Sequence, residues 1–200
     1  MVDSIWRDLQ GMVKNDGPLD YELAADYVAQ AAEHLHRAHQ AGLIHRDIKP
    51  ANLLVDSIGT VKVLDMGLAK FADTAVKASL TLAYDENVLG TADYLSPEQA
   101  LNSHEVDPRA DIYSLGCTLY FLLTGHPPFP EGTLPQRLMM HQTKMPPSIL
   151  VDRPDAPPSL VEICERMMSK NASARYQTAR QVADIMQEFI NERRRKINEP

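Results

Sequence analysis

Between residues 20 and 41 the apolar positions recur at helical spacing. Leu23, Tyr27, Ala31 and Leu35 return every four residues, with Val28 and Ala38 beside them, which predicts one buried stripe. Asp20 is a suitable N-cap, Glu22 fits the first turn and Gly42 ends the run. Two short apolar runs follow, Leu53–Val55 and Val61–Leu64. Asp56, Ser57 and Gly59 between them predict a hairpin. From Asp65 to about Pro97 the periodicity is weak and small or polar residues dominate. A stretch of roughly thirty structureless residues within a compact domain is usually functional or mobile.

Beyond Asp111 the helical pattern returns. The run Ile112–Leu123 is apolar on all sides, so it predicts a helix buried in protein. It is too short for a bilayer, which needs roughly 20 residues. Gly125 and the pair Pro127–Pro128 end it. Further helices are expected over Leu134–Gln142, 159–169 and 178–195, with a proline-rich connector from Pro146 to Pro158. There are no internal repeats. The expected fold class is mostly α, a helical bundle with a small β-hairpin.

Composition narrows the function. The 200 residues suit one compact domain, and 44% apolar content is enough for a real core. The net charge of −7 excludes the positive footprint of a general nucleic-acid binder. Cys117 and Cys164 sit within apolar runs and read as small buried hydrophobes. No disulfide framework is suggested, so a cytoplasmic location is expected. The N-terminus, MVDSIWRDLQ, has no basic head followed by an apolar stretch, so neither a signal peptide nor a membrane segment is expected.

The chemistry concentrates between the first long helix and the hairpin. His45-Arg46-Asp47-Ile48-Lys49-Pro50-Ala51-Asn52 fits the pattern H-R-D-x-x-x-x-N. Asp65-Met66-Gly67 closes the hairpin, Gly90-Thr91 leads into Ser96-Pro97-Glu98, and Asp111 stands before the buried run. Taken singly each has a plain structural reading: Asp47 as a solvated loop carboxylate, His45 as a packed histidine, Asp65 as a strand end, Asp111 as an N-cap. Together and in order they resemble the large, C-terminal lobe of bacterial Hanks-type (eukaryotic-like) serine/threonine protein kinases. The resemblance runs over essentially the whole chain, with residues 1–195 as the C-terminal lobe and 196–200 as a tail.

The resemblance implies phosphoryl transfer from ATP, with Mg²⁺, to serine or threonine hydroxyls of protein substrates. Asp47 would accept the proton of the attacking hydroxyl, and Lys49 would place positive charge near the transferring phosphate. Asn52 and Asp65 would hold Mg²⁺ through hard oxygen ligands, and Leu54 would line the nucleotide site. His45 would pack against the Asp65–Gly67 region, Thr91 would bridge Asp47 and Lys49, and Asp111 would brace the catalytic-loop backbone. Glu98 would pair with Arg175. Arg46 would receive a phosphate on Thr74, Ser79 or Thr81. Met66 and Ser96 depart from the family's usual Phe and Ala without removing a charge. Small-molecule phosphotransferases share a His-x-Asp…Asn loop but generally lack the Gly-Thr…S-P-E segment.

The sequence holds no Gly-rich phosphate loop and no V-A-I-K lysine. The expectation is therefore a lobe whose ATP-clamping N-terminal partner is missing, with little or no activity alone. A second reading is a non-catalytic kinase remnant that serves as a protein-binding module. The run Arg193-Arg194-Arg195-Lys196 reads as a solvated helix end complementing the macrodipole.

Overall fold

The computed structural model describes residues 6–64, 90–101 and 106–198. The described helices are α1 (Leu9–Asp16), α2 (Tyr21–Gln40), α3 (Pro97–Leu101), α4 (Arg109–Thr124), α5 (Leu134–Thr143), α6 (Pro158–Met167) and α7 (Ala179–Asn198). The described strands are β1 (Arg7–Asp8), β2 (Leu53–Val55) and β3 (Val61–Val63). A mostly helical lobe with a small sheet is thus the observed architecture.

The start of α2 follows its sequence signals. Asp20 accepts from the Glu22 and Leu23 amides at 2.8 and 3.4 Å, satisfying donors that a helix N-terminus leaves orphaned. The expected stripe is corrected at one end. Tyr27, Val28, Ala31, Leu35 and Ala38 are buried, whereas Leu23 is 39% exposed. The cause is angular: a strict four-residue repeat outruns the helical turn, so Leu23 lies about 120° around the axis from Leu35. Tyr21, Ala24 and Ala25 take its place in the core.

The hairpin is larger than expected. β2 pairs antiparallel with β3, and β1 adds a third strand on the other edge of β2, opposing Arg7 to Val55 and Asp8 to Leu54. Asp8 then turns the chain into α1, its carboxylate accepting from the Gly11 amide at 2.7 Å. Two residues of strand carry too little periodicity to be read from sequence.

Helix α4 is the axis of the lobe. Every residue from Ala110 to Leu123 is buried. Two of its aliphatic hydroxyls are satisfied within the helix, Ser114 bonding the Ala110 carbonyl at 3.2 Å and Thr118 the Ser114 carbonyl at 3.0 Å. It starts at Arg109, so Asp111 lies inside the first turn and is not the N-cap. Cys117 and Cys164 are buried free thiols, and burial pushes Cys117 up to about 12. No described helix is long and apolar enough to cross a membrane.

α7 packs along α2 and continues to Asn198, past the expected end at 195. The basic run at its end is only partly solvated. Arg193 bonds Glu22 at 3.3 Å and stacks over Tyr21 and Phe189, and Arg194 reaches Glu22 at 3.8 Å. Arg195 and Lys196 remain exposed.

The seat of α5 against α4 is polar and dry. His141 is fully buried, with Nδ1 2.9 Å from the Tyr113 hydroxyl, which also accepts from Lys170 at 3.0 Å. Burial and the Lys170 charge lower His141 to about 3. Burial also lowers Lys170 to about 8.

Two outcomes follow from this packing. A methyl group on Gly116 would stand 2.8 Å from the Met167 side chain and 3.3 Å from the Met167 backbone. Gly116→Ala is expected to cost about 1–3 kcal/mol, read as a lower urea midpoint with unchanged slope. His141 takes up a proton more readily unfolded than folded, so its contribution is lost as pH falls below about 6.5 towards 3. Between pH 7 and 5, His141→Gln should lose about 2 kcal/mol less stability than the parent. The comparison with the parent matters because Asp93, raised to about 6 by burial against the pull of Arg137, works in the opposite direction.

Candidate functional site

The loop between α2 and β2 is shaped by hydrogen bonds from distant elements. Asp111 Oδ2 accepts from the His45 amide at 2.9 Å and Oδ1 from the Arg46 amide at 2.8 Å. His39 Nε2, near the end of α2, donates to Asp111 Oδ2 at 2.8 Å. The imidazole of His45 spans the loop: the Asp47 amide donates to Nδ1 at 3.3 Å, so the ring proton sits on Nε2, which donates to the Leu64 carbonyl at 2.8 Å. Arg46 has φ +67°, the only positive value of a non-glycine residue among those described. An L side chain seldom adopts that conformation unless its surroundings enforce it.

This frame brings three of the expected residues together. Lys49 Nζ is 3.0 Å from Asp47 Oδ2. Asn52 Nδ2 donates to the Asp47 carbonyl at 2.7 Å and to Asp47 Oδ2 at 3.0 Å. A short 3-10 turn, Pro50–Asn52, makes that reach possible before β2 begins. Lys49 also donates to Thr91 Oγ1 at 2.8 Å, so Thr91 meets the site through Lys49 rather than by a bond to Asp47. Asn52 spends its amide nitrogen on Asp47, which leaves its oxygen as the hard donor a magnesium ion requires. Leu54 is half-buried in the middle of β2, opposite Asp8 and Lys62. Asp65, Gly67, Thr74, Ser79 and Thr81 lie outside the described residues.

A second cluster fixes the segment that carries Thr91. Arg175 is buried and spends all five N–H donors: on Glu98 at 2.6 and 2.8 Å, and on the carbonyls of Arg109, Ser169 and Lys170. Its guanidinium also lies over the Tyr113 ring, 5.0 Å from the centroid.

Several residues of this region were not legible beforehand. Asp93 pairs with Arg137 on α5 at 2.8 Å, and Gln99 Nε2 donates to the Arg46 carbonyl at 2.8 Å. Ser96-Pro97-Glu98-Gln99 does carry a local signal, the S-x-x-Q of a capping box. Its bonds are present, Gln99 Oε1 accepting from the Ser96 amide at 3.2 Å. The reach to Arg46, 53 residues away, has no sequence signature.

Residues 3–189 match the model of the protein kinase domain. The chain belongs to the protein kinase domain family. Among curated relatives, this kinase chain is 42% identical over 183 residues to the serine/threonine-protein kinase PknB of Mycolicibacterium smegmatis, a match covering 89% of the chain and 28% of the relative. It is 40% identical to PknB of Mycobacterium tuberculosis, with the same coverages. Against the probable PknB of Bifidobacterium longum it is 36% identical, over 92% of the chain and 26% of that protein. The chain thus spans little more than a quarter of the length of these relatives. Such relatives mark it as a bacterial Hanks-type kinase sequence.

Arg175 and an exposed arginine of α7 make a sharp stability contrast. Arg175→Ala would strand Glu98 and three carbonyls, and is expected to cost about 3–5 kcal/mol. Arg195→Ala, at an exposed position, should stay within about 0.5 kcal/mol. Urea midpoints of the two variants measure the difference, and equal midpoints would remove Arg175 as an anchor.

Proposed function

We propose that this chain carries the catalytic loop of a serine/threonine protein kinase, which moves the γ-phosphate of ATP to serine or threonine hydroxyls of proteins. The observation that carries the reading is the Asp47 carboxylate held between Lys49 and Asn52, each 3.0 Å from Oδ2. In this reading Asp47 receives the proton of the attacking hydroxyl. Its remaining acceptor capacity matters, because a carboxylate has about four lone-pair sites and these two neighbours take the two on Oδ2, leaving Oδ1 to accept the proton.

Lys49 holds positive charge beside that carboxylate while bonded to Thr91, so it links the loop to the segment that would present the protein substrate. The Thr91 hydroxyl also favours serine and threonine as acceptors, in keeping with the names of the relatives. Asn52 and Asp65 would hold Mg²⁺, which neutralises phosphate charge when bound. Leu54 would flank the nucleotide. Phosphorylation at Thr74, Ser79 or Thr81 would place an anion for Arg46.

The 200 residues contain no Gly-rich loop and no V-A-I-K lysine. Positioning supplies most of the rate in this reaction, so transfer by these residues alone should be slow. The alternative of a non-catalytic binding module draws on the lack of those two motifs in these residues; against it, neither Asp47 nor Asn52 is replaced.

The test is transfer of labelled phosphate from Mg²⁺–ATP to a serine- and threonine-containing protein, with serine, threonine and tyrosine products resolved. Weak labelling of serine or threonine that falls by at least about 100-fold in Asp47→Asn is the expected result. Labelling that persists unchanged in Asp47→Asn would sink the reading.

A further inference from the structure

Gln99 does more than cap its own helix. It is buried, and its side-chain amide is used on both sides. Oε1 accepts from the Ser96 amide at 3.2 Å and the Ser96 hydroxyl at 3.0 Å, while Nε2 donates to the Arg46 carbonyl at 2.8 Å. A capping box needs only the oxygen. The nitrogen is spent on a different part of the molecule, and on the one non-glycine residue described with positive φ.

The Arg46 carbonyl belongs to the same peptide unit as the Asp47 amide. Peptide units are planar, so holding both ends fixes the plane. Here the carbonyl is held by Gln99 and the amide by His45 Nδ1 at 3.3 Å. Asp111 fixes the two preceding units, through the His45 and Arg46 amides, and not this one. Rotation of the Arg46–Asp47 plane would swing the Asp47 Cα and its carboxylate away from Lys49 and Asn52. Gln99 therefore controls a degree of freedom that Asp111 leaves open.

We propose that Gln99 is a positioning residue: through the Arg46 carbonyl it sets the peptide plane that aims the Asp47 carboxylate, and so ties the α3 segment to the catalytic loop. The catalytic meaning of this rests on the kinase reading of Asp47, whereas the pin itself is a matter of backbone geometry. The nitrogen is the discriminating atom. Glutamate at 99 keeps the shape and the acceptor for Ser96 but, when ionised, has no donor for the Arg46 carbonyl. Methionine keeps the approximate volume and removes both functions. Ser96→Ala removes one partner of the oxygen and leaves the donor.

The experiment is nuclear magnetic resonance of the 200-residue chain without nucleotide, so it succeeds or fails independently of phosphate transfer. It follows the Asp47 amide shift and hydrogen exchange at Asp47, with Met186 and Phe189 in α7 as reporters of global stability. In Gln99→Met and Gln99→Glu near pH 8, Asp47 exchange should rise at least about fivefold more than exchange at the α7 reporters. Its amide shift should move in both, and stay near the parent value in Ser96→Ala. As pH falls, the buried carboxyl of Gln99→Glu gains a proton and becomes a donor. The Asp47 shift should then return towards the parent value at the same pH, whereas Gln99→Met should show no return. Equal acceleration at Asp47 and the α7 reporters would reduce Gln99 to ordinary packing and overturn the proposal. An Asp47 shift that is unmoved in Gln99→Met, or not restored on acidifying Gln99→Glu, would overturn it as well.

Discussion

Asp111 is fully buried, yet it carries a carboxylate. Such a group is tolerated in a low-dielectric interior only when its oxygens are satisfied. Its partners are the amides of His45 and Arg46 and the imidazole of His39. The first two come from a loop some 65 residues earlier in the chain, so the desolvation cost of one side chain is offset only if that loop adopts one shape. The dependence runs both ways. Without the loop the carboxylate is stranded, and without the carboxylate Arg46 loses support for its left-handed backbone. The buried helix α4 supplies rigidity, because its apolar surface leaves Asp111 no route to water.

The segment that carries Thr91 and Glu98 is attached by a different device with the same logic. Glu98 stands on a helix of five residues, which has little stability of its own. Arg175 holds it from the connection between α6 and α7, and also collects the carbonyls of Arg109, Ser169 and Lys170. Guanidinium suits this role because its planar fork can satisfy five acceptors at once, which an ammonium cannot. The loop is thus braced from the first turn of α4, and the segment facing it from beyond α6. Lys49–Thr91 and Gln99–Arg46 then join the two across the site.

Much of this was legible in the sequence, for identifiable reasons. The long helices announce themselves through periodicity and caps, as Asp20 does for α2. Residues His45 to Asn52 are legible because the protein kinase family fixes residue types at set spacings there. Errors arose where local patterns meet three-dimensional context. The four-residue repeat placed Leu23 in the core, although the helical turn carries it outside. The basic run at 193–196 is solvated as its sequence suggests except at Arg193, which meets Glu22 only because α7 folds back on α2. β1 was invisible because two residues cannot show an alternation. Gln99, Asp93 and Arg137 were missed because their partners are far away in the chain, and no spacing rule links them.

The long-range bonds also bear on the lysine beside the loop carboxylate. Lys49 is neither a buried ion nor a free surface charge. It is 3.0 Å from Asp47 and 2.8 Å from Thr91, in a partly exposed setting where pairing alone contributes little to stability. What the contacts do provide is direction, since Lys49 and Asn52 converge on one carboxylate and Thr91 of the facing segment holds Lys49 in place. Stability is drawn from the apolar surround of α4 and from Arg175, and that leaves the groups around Asp47 free to be arranged for charge and geometry. The proposed phosphate transfer needs this division, because the groups that must meet a changing charge distribution cannot also be the ones that hold the fold together.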